Sequence, residues 1–148
     1  MLSKQFLPLL RELAETYQAF QAYSAPHIRS LNLTPPQFDI IATLGNTAGM
    51  SPKELGEKTL ITKGTLTGVV DRLIAKNLVA RTASASDGRC QTVKLTKQGD
   101  KLFAQIFPAH LSHLQPVFAQ LKTTEVAALT LQLRTLRTAF EFAHQELE

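Results

Sequence analysis

The chain has 148 residues, of which 44% are hydrophobic, and a formal net charge of +4. This length fits one domain, or one small module with a helical appendage, and the hydrophobic fraction is ordinary for a globular protein. No apolar run is long enough to span a membrane, and residues 1–6 lack the hydrophobic region of a secretory signal. The single cysteine, Cys90, excludes an intrachain disulfide and fits a reducing compartment. We therefore expect a cytoplasmic protein.

The positive charge is concentrated in one part of the chain. Residues 51–101 contain ten Lys or Arg against five Asp or Glu, whereas the rest has six against seven. A local basic excess favours a partner that carries phosphates. Because the excess is modest, a basic surface without a ligand is the alternative interpretation.

Residues 3–29 are predicted to form a long helix. Apolar side chains recur there at heptad-like spacing: Phe6, Leu10, Leu13, Tyr17 and Phe20. Pro26 lacks the N–H that a helix interior needs, so we expect a kink or a break near Ala25.

A second helix is predicted to begin at a capping box made by Thr34 and Gln37, with Phe38, Ile41 and Leu44 facing the core. A loop of small residues over 45–49 ends it. Met50 is then expected to add a short strand to the sheet that follows.

Two short helices follow, over residues 51–58 and 62–76, with a turn at residues 59–61. Ser51, Pro52 and Glu54 form a capping-box sequence, and Leu55 is the main core residue of the first helix. Thr62 is expected to cap the second helix, and Asn77 fits a left-handed residue after its end. This order predicts a helix-turn-helix.

The second of these helices has two contrasting faces. Its apolar residues share one side: Leu66, Val69, Val70, Leu73 and Ile74. The opposite side begins with small polar residues, which let a backbone approach the floor of a DNA groove. An ordinary amphipathic helix with a solvated polar face is the alternative interpretation.

Two β-prone runs, residues 78–81 and 91–95, come next. Between them Asp87-Gly88 is a strong turn signal, and Arg89 would lie at the tip of a hairpin. An Arg at this point suits contact with the DNA backbone or the minor groove. The alternative is a surface hairpin with an incidental Arg.

The remainder is predicted to be helical. Thr96 is expected to cap a helix from Lys97, with bends or a break at Pro108 and Pro116. A final helix should start at Thr123 or Thr124, with apolar residues every three or four positions. The terminal helices would pack on each other or on a second chain, and the second arrangement is favoured because they have few other apolar partners.

The string Asp87-x-Arg89 followed by Val93-x-Leu95-Thr96-x-x-Gly99 resembles the signature of the MarR family of bacterial transcription regulators. Leu55, Thr34-x-x-Gln37 and the run over residues 61–81 also fall where that family has them, while Asn77 stands where it often has Gly. The resemblance implies a mainly α fold with a small β-wing: a winged helix-turn-helix module flanked by N- and C-terminal dimerisation helices. Residues 1–148 would form one domain, with residues 34–96 as the DNA-binding module and residues 1–33 and 97–148 as the helical dimerisation scaffold.

The implied function is that of a homodimeric repressor that binds double-stranded DNA. Two recognition helices would bind half-sites of a pseudo-palindromic operator roughly 10 bp apart. The candidate DNA contacts are Ser51, Lys53, Thr62, Lys63, Thr65, Thr67, Arg72, Asp87 and Arg89, with Asp87 steadying Arg89 by analogy with the family. A phenolic or aromatic anion would release the DNA, and its candidate ligands are Tyr23, His27, Arg29 and Phe38.

A few specific residues suggest other functions. His110 and His113 stand three apart and, with His27, could bind zinc, which makes a metal-responsive regulator of the same fold an alternative. Cys90 is a possible redox switch, but a single Cys in a wing is more often an ordinary strand residue. No cofactor is expected, and no phosphate loop or nucleophile–base spacing indicates an enzyme. A winged helix that binds only proteins is the remaining alternative.

Overall fold

The computed structural model describes residues 3–83 and 91–148. A short 3-10 turn, Lys4–Phe6, leads into the helices α1 (Leu7–Ser30), α2 (Pro35–Leu44), α3 (Pro52–Lys58) and α4 (Lys63–Ala75). Two strands follow, β1 (Val79–Ala83) and β2 (Gln91–Leu95), and then the helices α5 (Lys97–Phe118) and α6 (Thr123–Gln145). The mainly helical fold with a small antiparallel wing is therefore confirmed.

The chain divides into two compact units, whose boundary in sequence lies between His110 and Leu111. The first unit holds a hydrophobic core built on α2, α3, α4 and the two strands. Its largest fully buried side chains are Ile40, Ile41, Leu44, Leu55, Leu73, Val79 and Val93. The second unit contains the end of α5 and all of α6, a helix in which no residue is buried. Among the described residues, no helix combines the length and apolar character that crossing a membrane requires.

The strands pair in antiparallel register from Val79 opposite Leu95 to Ala83 opposite Gln91. On the other side of β2, Met50 exchanges both backbone hydrogen bonds with Val93, at 2.9 and 2.8 Å. Met50 therefore adds an isolated bridge to the two-stranded sheet, where a short strand was predicted. This bridge ties the residue just before α3 to the sheet that follows α4.

A kink or a break was predicted at Pro26, and bends or a break at Pro108 and Pro116; the breaks are wrong. Helix α1 runs without interruption through Pro26, and α5 runs through Pro108 and Pro116. A proline inside a helix removes one hydrogen bond but leaves the remaining ladder in place. On either side of Pro26, Ser24 and Ile28 are buried within the first unit.

The predicted helix starts are confirmed in position. The Thr34 hydroxyl accepts a hydrogen bond from the Gln37 N–H while the Gln37 side chain accepts one from the Thr34 N–H, a complete capping box. At α5 the Thr96 hydroxyl accepts from the Gly99 N–H at 3.0 Å and donates to the Asn77 carbonyl at 2.7 Å. The backbone φ of Asn77 is 59°, so the predicted left-handed residue is also present.

Close packing around Gly99 explains why the motif ends in glycine. A Cβ built at this position would overlap the carbonyl oxygen of Leu78. The Leu78 carbonyl also accepts a hydrogen bond from the Thr96 N–H at 3.0 Å. The first turn of α5 therefore lies directly on the backbone that joins α4 to β1. The Leu95-Thr96-x-x-Gly99 part of the motif therefore stabilises the packing of α5 on the winged module.

Candidate nucleic-acid interface

Helices α3 and α4 form the predicted helix-turn-helix. Helix α3 starts at Ser51, whose hydroxyl accepts a hydrogen bond from the Glu54 N–H at 3.1 Å, and it buries Leu55 completely. The turn is held from two sides. The Thr59 hydroxyl donates to the Leu55 carbonyl at 2.8 Å, and Asp39 of α2 accepts a hydrogen bond from the Leu60 N–H at 2.9 Å. A charged acceptor on another helix therefore anchors the backbone that leads into α4.

Helix α4 divides its side chains as its sequence predicted. Leu66, Val69, Val70 and Leu73 are buried against the core. The centre of the opposite, exposed side is a stripe at helical spacing: Gly64, Gly68, Asp71 and Ala75. A Cβ built at Gly64 or Gly68 would have no other atom within 4 Å. This side of the helix is therefore open to close approach by a large partner.

The predicted DNA contacts of this region lie on α3 and α4 or at the N-caps of these two helices. Ser51 is half-buried, and the others are exposed: Lys53, Thr62, Lys63, Thr65, Thr67 and Arg72. Thr62 occupies the N-cap position of α4, but the expected side-chain cap is wrong. Its hydroxyl lies 3.1 Å from the Thr65 hydroxyl and donates a hydrogen bond to it. Asp87 and Arg89 lie outside the described residues, as does Cys90.

One contact at this surface could not be predicted from the sequence. The Arg81 guanidinium of β1 lies 2.7 Å from the Asp71 carboxylate of α4, with side chains 31% and 56% exposed. The other ion pairs among the described residues join side chains four positions apart. The Asp71–Arg81 pair instead connects the exposed stripe of α4 to the first strand of the wing.

A cavity of about 330 Å³ lies beside this pair. Its lining comes from α3, α4 and both strands: Pro52, Leu66, Thr67, Val70, Asp71, Arg81, Gln91 and Val93. Helix α4 and the strands are therefore not in close contact along the whole of this side.

A buried polar cluster lies elsewhere in the first unit, where α1, α2 and α5 meet. The His110 Nε2 is 3.0 Å from the Ser24 hydroxyl, and its Nδ1 is 2.9 Å from the His27 Nδ1. The rings of His27 and His110 stack with centroids 5.1 Å apart, and Phe38 meets His110 edge-on at 4.7 Å. Ser24 and His110 are both buried.

This cluster contains two of the four predicted effector ligands, His27 and Phe38. The other two, Tyr23 and Arg29, are on the same helix as His27 and are exposed. Ser24 was not predicted to take part in a site, and His110 was predicted only as a zinc ligand, together with His113 and His27. The structure brings His110 and His27 into contact. Among the residues of the described ranges, no group of three or more His, Cys, Asp or Glu is placed to bind a metal.

Two comparisons of sequence agree with this geometry. A model of the MarR family matches residues 31–89, which begin just before α2 and extend into the wing. The HTH-type transcriptional regulator MhqR of Bacillus subtilis is 29% identical over 133 residues, which cover 90% of this chain and 92% of MhqR.

Solved structures extend the match to nearly the whole fold. MarR from Escherichia coli, in a complex with operator DNA, aligns with a TM-score of 0.77 and 28% identity over 90% of this chain and 99% of MarR. BpsR of Bordetella bronchiseptica, whose DNA binding is regulated by 6-hydroxynicotinic acid, aligns with a TM-score of 0.77 and 28% identity over 88% and 98% of the two chains. The helix-turn-helix, the paired wing strands and these matches together establish that this chain belongs to the MarR family of transcriptional regulators.

Proposed function

We propose that this protein is a homodimeric repressor that binds a pseudo-palindromic operator and releases it when an aromatic anion binds. The observation that carries the DNA-binding part is the exposed side of α4. Small residues at its centre would let the helix backbone approach a major groove, and the hydroxyl and basic side chains around them can bond base edges and phosphates. The local basic charge favours the same partner.

Dimerisation is proposed from the apolar side chains that α1 and α6 leave exposed. On α1 they include Leu9, Leu10, Tyr17 and Phe20, which are 43–54% exposed. On α6 they include Leu129, Leu131, Leu133 and Phe140, which are 46–62% exposed. Exposed apolar surface of this extent along whole helices is typical of an interface. Pairing two copies would give the two recognition helices that a palindromic site requires.

The effector site is proposed at the cluster of His27, Phe38 and His110. Imidazole nitrogens can donate hydrogen bonds to a carboxylate or phenolate, and an aromatic ring can stack on His27 or Phe38. BpsR, a relative that responds to 6-hydroxynicotinic acid, supports an aromatic acid as the ligand class. The predicted ligands Tyr23 and Arg29 would extend the site along α1.

The test begins with DNA. A binding site is selected from random duplexes, and its affinity for the protein is measured by fluorescence anisotropy across a salt series. We expect a two-fold-symmetric site, a steep salt dependence, and at least a tenfold loss of affinity for Arg89→Ala. Arg137→Ala on α6 is the matched control, because Arg137 is an exposed Arg outside the winged module.

The selected complex then serves to test release. We expect 6-hydroxynicotinate or a related phenolic acid to dissociate it, and we expect His110→Gln to weaken that response. Zinc chloride is tested in parallel, since release by zinc alone would favour the metal-responsive alternative. If no duplex is enriched, the repressor proposal fails and a protein-binding winged helix takes its place.

A further inference from the structure

We propose that Asp71 and Arg81 act as a positioning pair, which holds the wing against the recognition helix α4 in the geometry that DNA binding needs. The proposal rests on the proposed function, since it assumes that α4 and the wing meet DNA together. It assigns a role to two residues that were not among the predicted DNA contacts.

The first support is the location of Asp71. Its carboxylate lies on the exposed stripe of α4, one helical turn beyond Gly68. A carboxylate on a surface that meets phosphates opposes binding, because like charges repel. A carboxylate at this position therefore requires another role that offsets its repulsion of phosphates.

The second support is the contact that Asp71 makes. Its Oδ1 lies 2.7 Å from Arg81 Nη2, which is the short distance of a charge-assisted hydrogen bond. Arg81 is opposite Val93 in the sheet, and Val93 in turn bonds Met50, which immediately precedes Ser51 and α3. The pair therefore connects α4 to the strand framework to which α3 is also attached.

The third support is the cavity beside the pair. An open cleft of about 330 Å³ lies between α4 and the strands on this side, above the core residues Leu66, Val70 and Val93. The ion pair joins α4 to β1 at the exposed side of this cleft. Ion pairs exposed to this degree contribute little to folding stability, so the effect of the pair on position can be separated from its effect on stability.

The experiment uses the full chain and its selected operator, with three variants: Asp71→Asn, Arg81→Gln and the double variant. Electrostatics alone predicts that Asp71→Asn tightens DNA binding, because it removes a negative charge and releases an Arg. A positioning role predicts the opposite sign. We expect Asp71→Asn to weaken binding at least fivefold and to reduce the salt slope by about one, as expected when one phosphate contact is lost.

The double variant tests whether the two residues act as a unit. If they do, the double variant binds no more weakly than the weaker single variant, because the second substitution removes nothing further. Glu141→Gln on α6 is the matched control, since Glu141 pairs with Arg137 at 3.5 Å, outside the winged module. It should leave DNA affinity unchanged. Thermal melts of the wild type and all four variants should agree within a few degrees.

The outcomes separate the two proposals. If the wild-type protein selects no duplex, the proposed function fails. If the wild type binds its site and Asp71→Asn binds equally well or more tightly, the repressor proposal stands and the positioning pair is overturned. Additive losses in the double variant, or a loss matched by a large drop in melting temperature, would also overturn it.

Discussion

His27 and His110 face each other with their Nδ1 atoms 2.9 Å apart. A neutral imidazole carries one N–H, so one of the two rings donates this hydrogen bond and the other accepts it. The remaining nitrogen of His110 is bonded to the Ser24 hydroxyl. Helices α1 and α5 are therefore joined by directional bonds in a buried place, which specify one arrangement of the two helices more narrowly than apolar contact would.

Replacement of His110 by Ala should destabilise the fold. It removes a hydrogen-bond partner of Ser24 and one of His27, and it leaves a cavity beside Phe38. We expect the free energy of unfolding to fall by about 2–4 kcal/mol, measured by urea denaturation. His144→Ala is the control, because the His144 side chain is 74% exposed, and it should change stability by less than about 0.5 kcal/mol. Equal effects of the two substitutions would contradict the role given to His110.

Substitutions at Gly68 should separate stability from DNA binding. Gly68 is inside α4 with open space around it, so Gly68→Ala should raise the free energy of unfolding by about 0.5–1 kcal/mol through helix propensity. Gly68→Leu adds bulk at the centre of the side proposed to face DNA, and we expect it to lower affinity for the selected operator at least tenfold. Denaturation and anisotropy on the same samples test both statements. If Gly68→Leu binds the operator as tightly as the wild type, this side of α4 does not face the DNA.

Gly99→Ala should lower the stability of the fold, whereas Gly68→Ala should raise it. Its added methyl group would overlap the Leu78 carbonyl oxygen and press on Leu95, so either α5 or the turn after α4 must shift. Such overpacking costs about 1–3 kcal/mol, and we expect a loss of that size in urea denaturation. Gly64→Ala, which meets no atom within 4 Å, is the matched control. A neutral Gly99→Ala would mean that the motif glycine is not required by the fold.

Asn77 should tolerate Gly but not a β-branched residue. Its φ of 59° lies in the left-handed region, which Asn and Gly adopt readily. Asn77→Gly should change the free energy of unfolding by less than about 1 kcal/mol. Asn77→Val should reduce it by about 1–2 kcal/mol, since other L-residues pay that cost in this region. Thermal or urea denaturation of the two variants gives the comparison, and equal stability of both would contradict it.

The sequence predicted best those features that depend on residues close together in the chain. The Thr34–Gln37 capping box, the apolar side of α4 and the left-handed Asn77 each depend on residues within a few positions of one another. Local rules alone misjudged Thr62, whose hydroxyl bonds a neighbouring side chain instead of a backbone N–H. They also overstated the effect of Pro26, because the ladder around one missing hydrogen bond remained intact.

The rest could not be predicted because it depends on distant residues. The zinc hypothesis grouped His27 with His110, but the two residues are 83 positions apart, so their hydrogen bond to each other depends on how α1 and α5 pack. Asp71 and Arg81 lie on a helix and a strand whose spacing is set by the sheet, so their pairing follows only from the tertiary fold. Only two of the four predicted effector ligands lie in the cluster, for the same reason. Helix periodicity predicts which side of α1 a residue occupies, but it does not predict which residues pack against that side.

Phe38 and Asp39 are consecutive residues of α2, and they contact different parts of the first unit. Phe38 lies against the His110 ring, while Asp39 accepts the hydrogen bond of the Leu60 N–H in the turn before α4. Helix α2 has ten residues and a complete capping box at its start. We expect a ligand that shifts the α2 backbone at Phe38 to shift Asp39 as well, because one peptide bond joins the two residues. The histidine cluster and the turn before α4 are thus held by adjacent residues of a single helix.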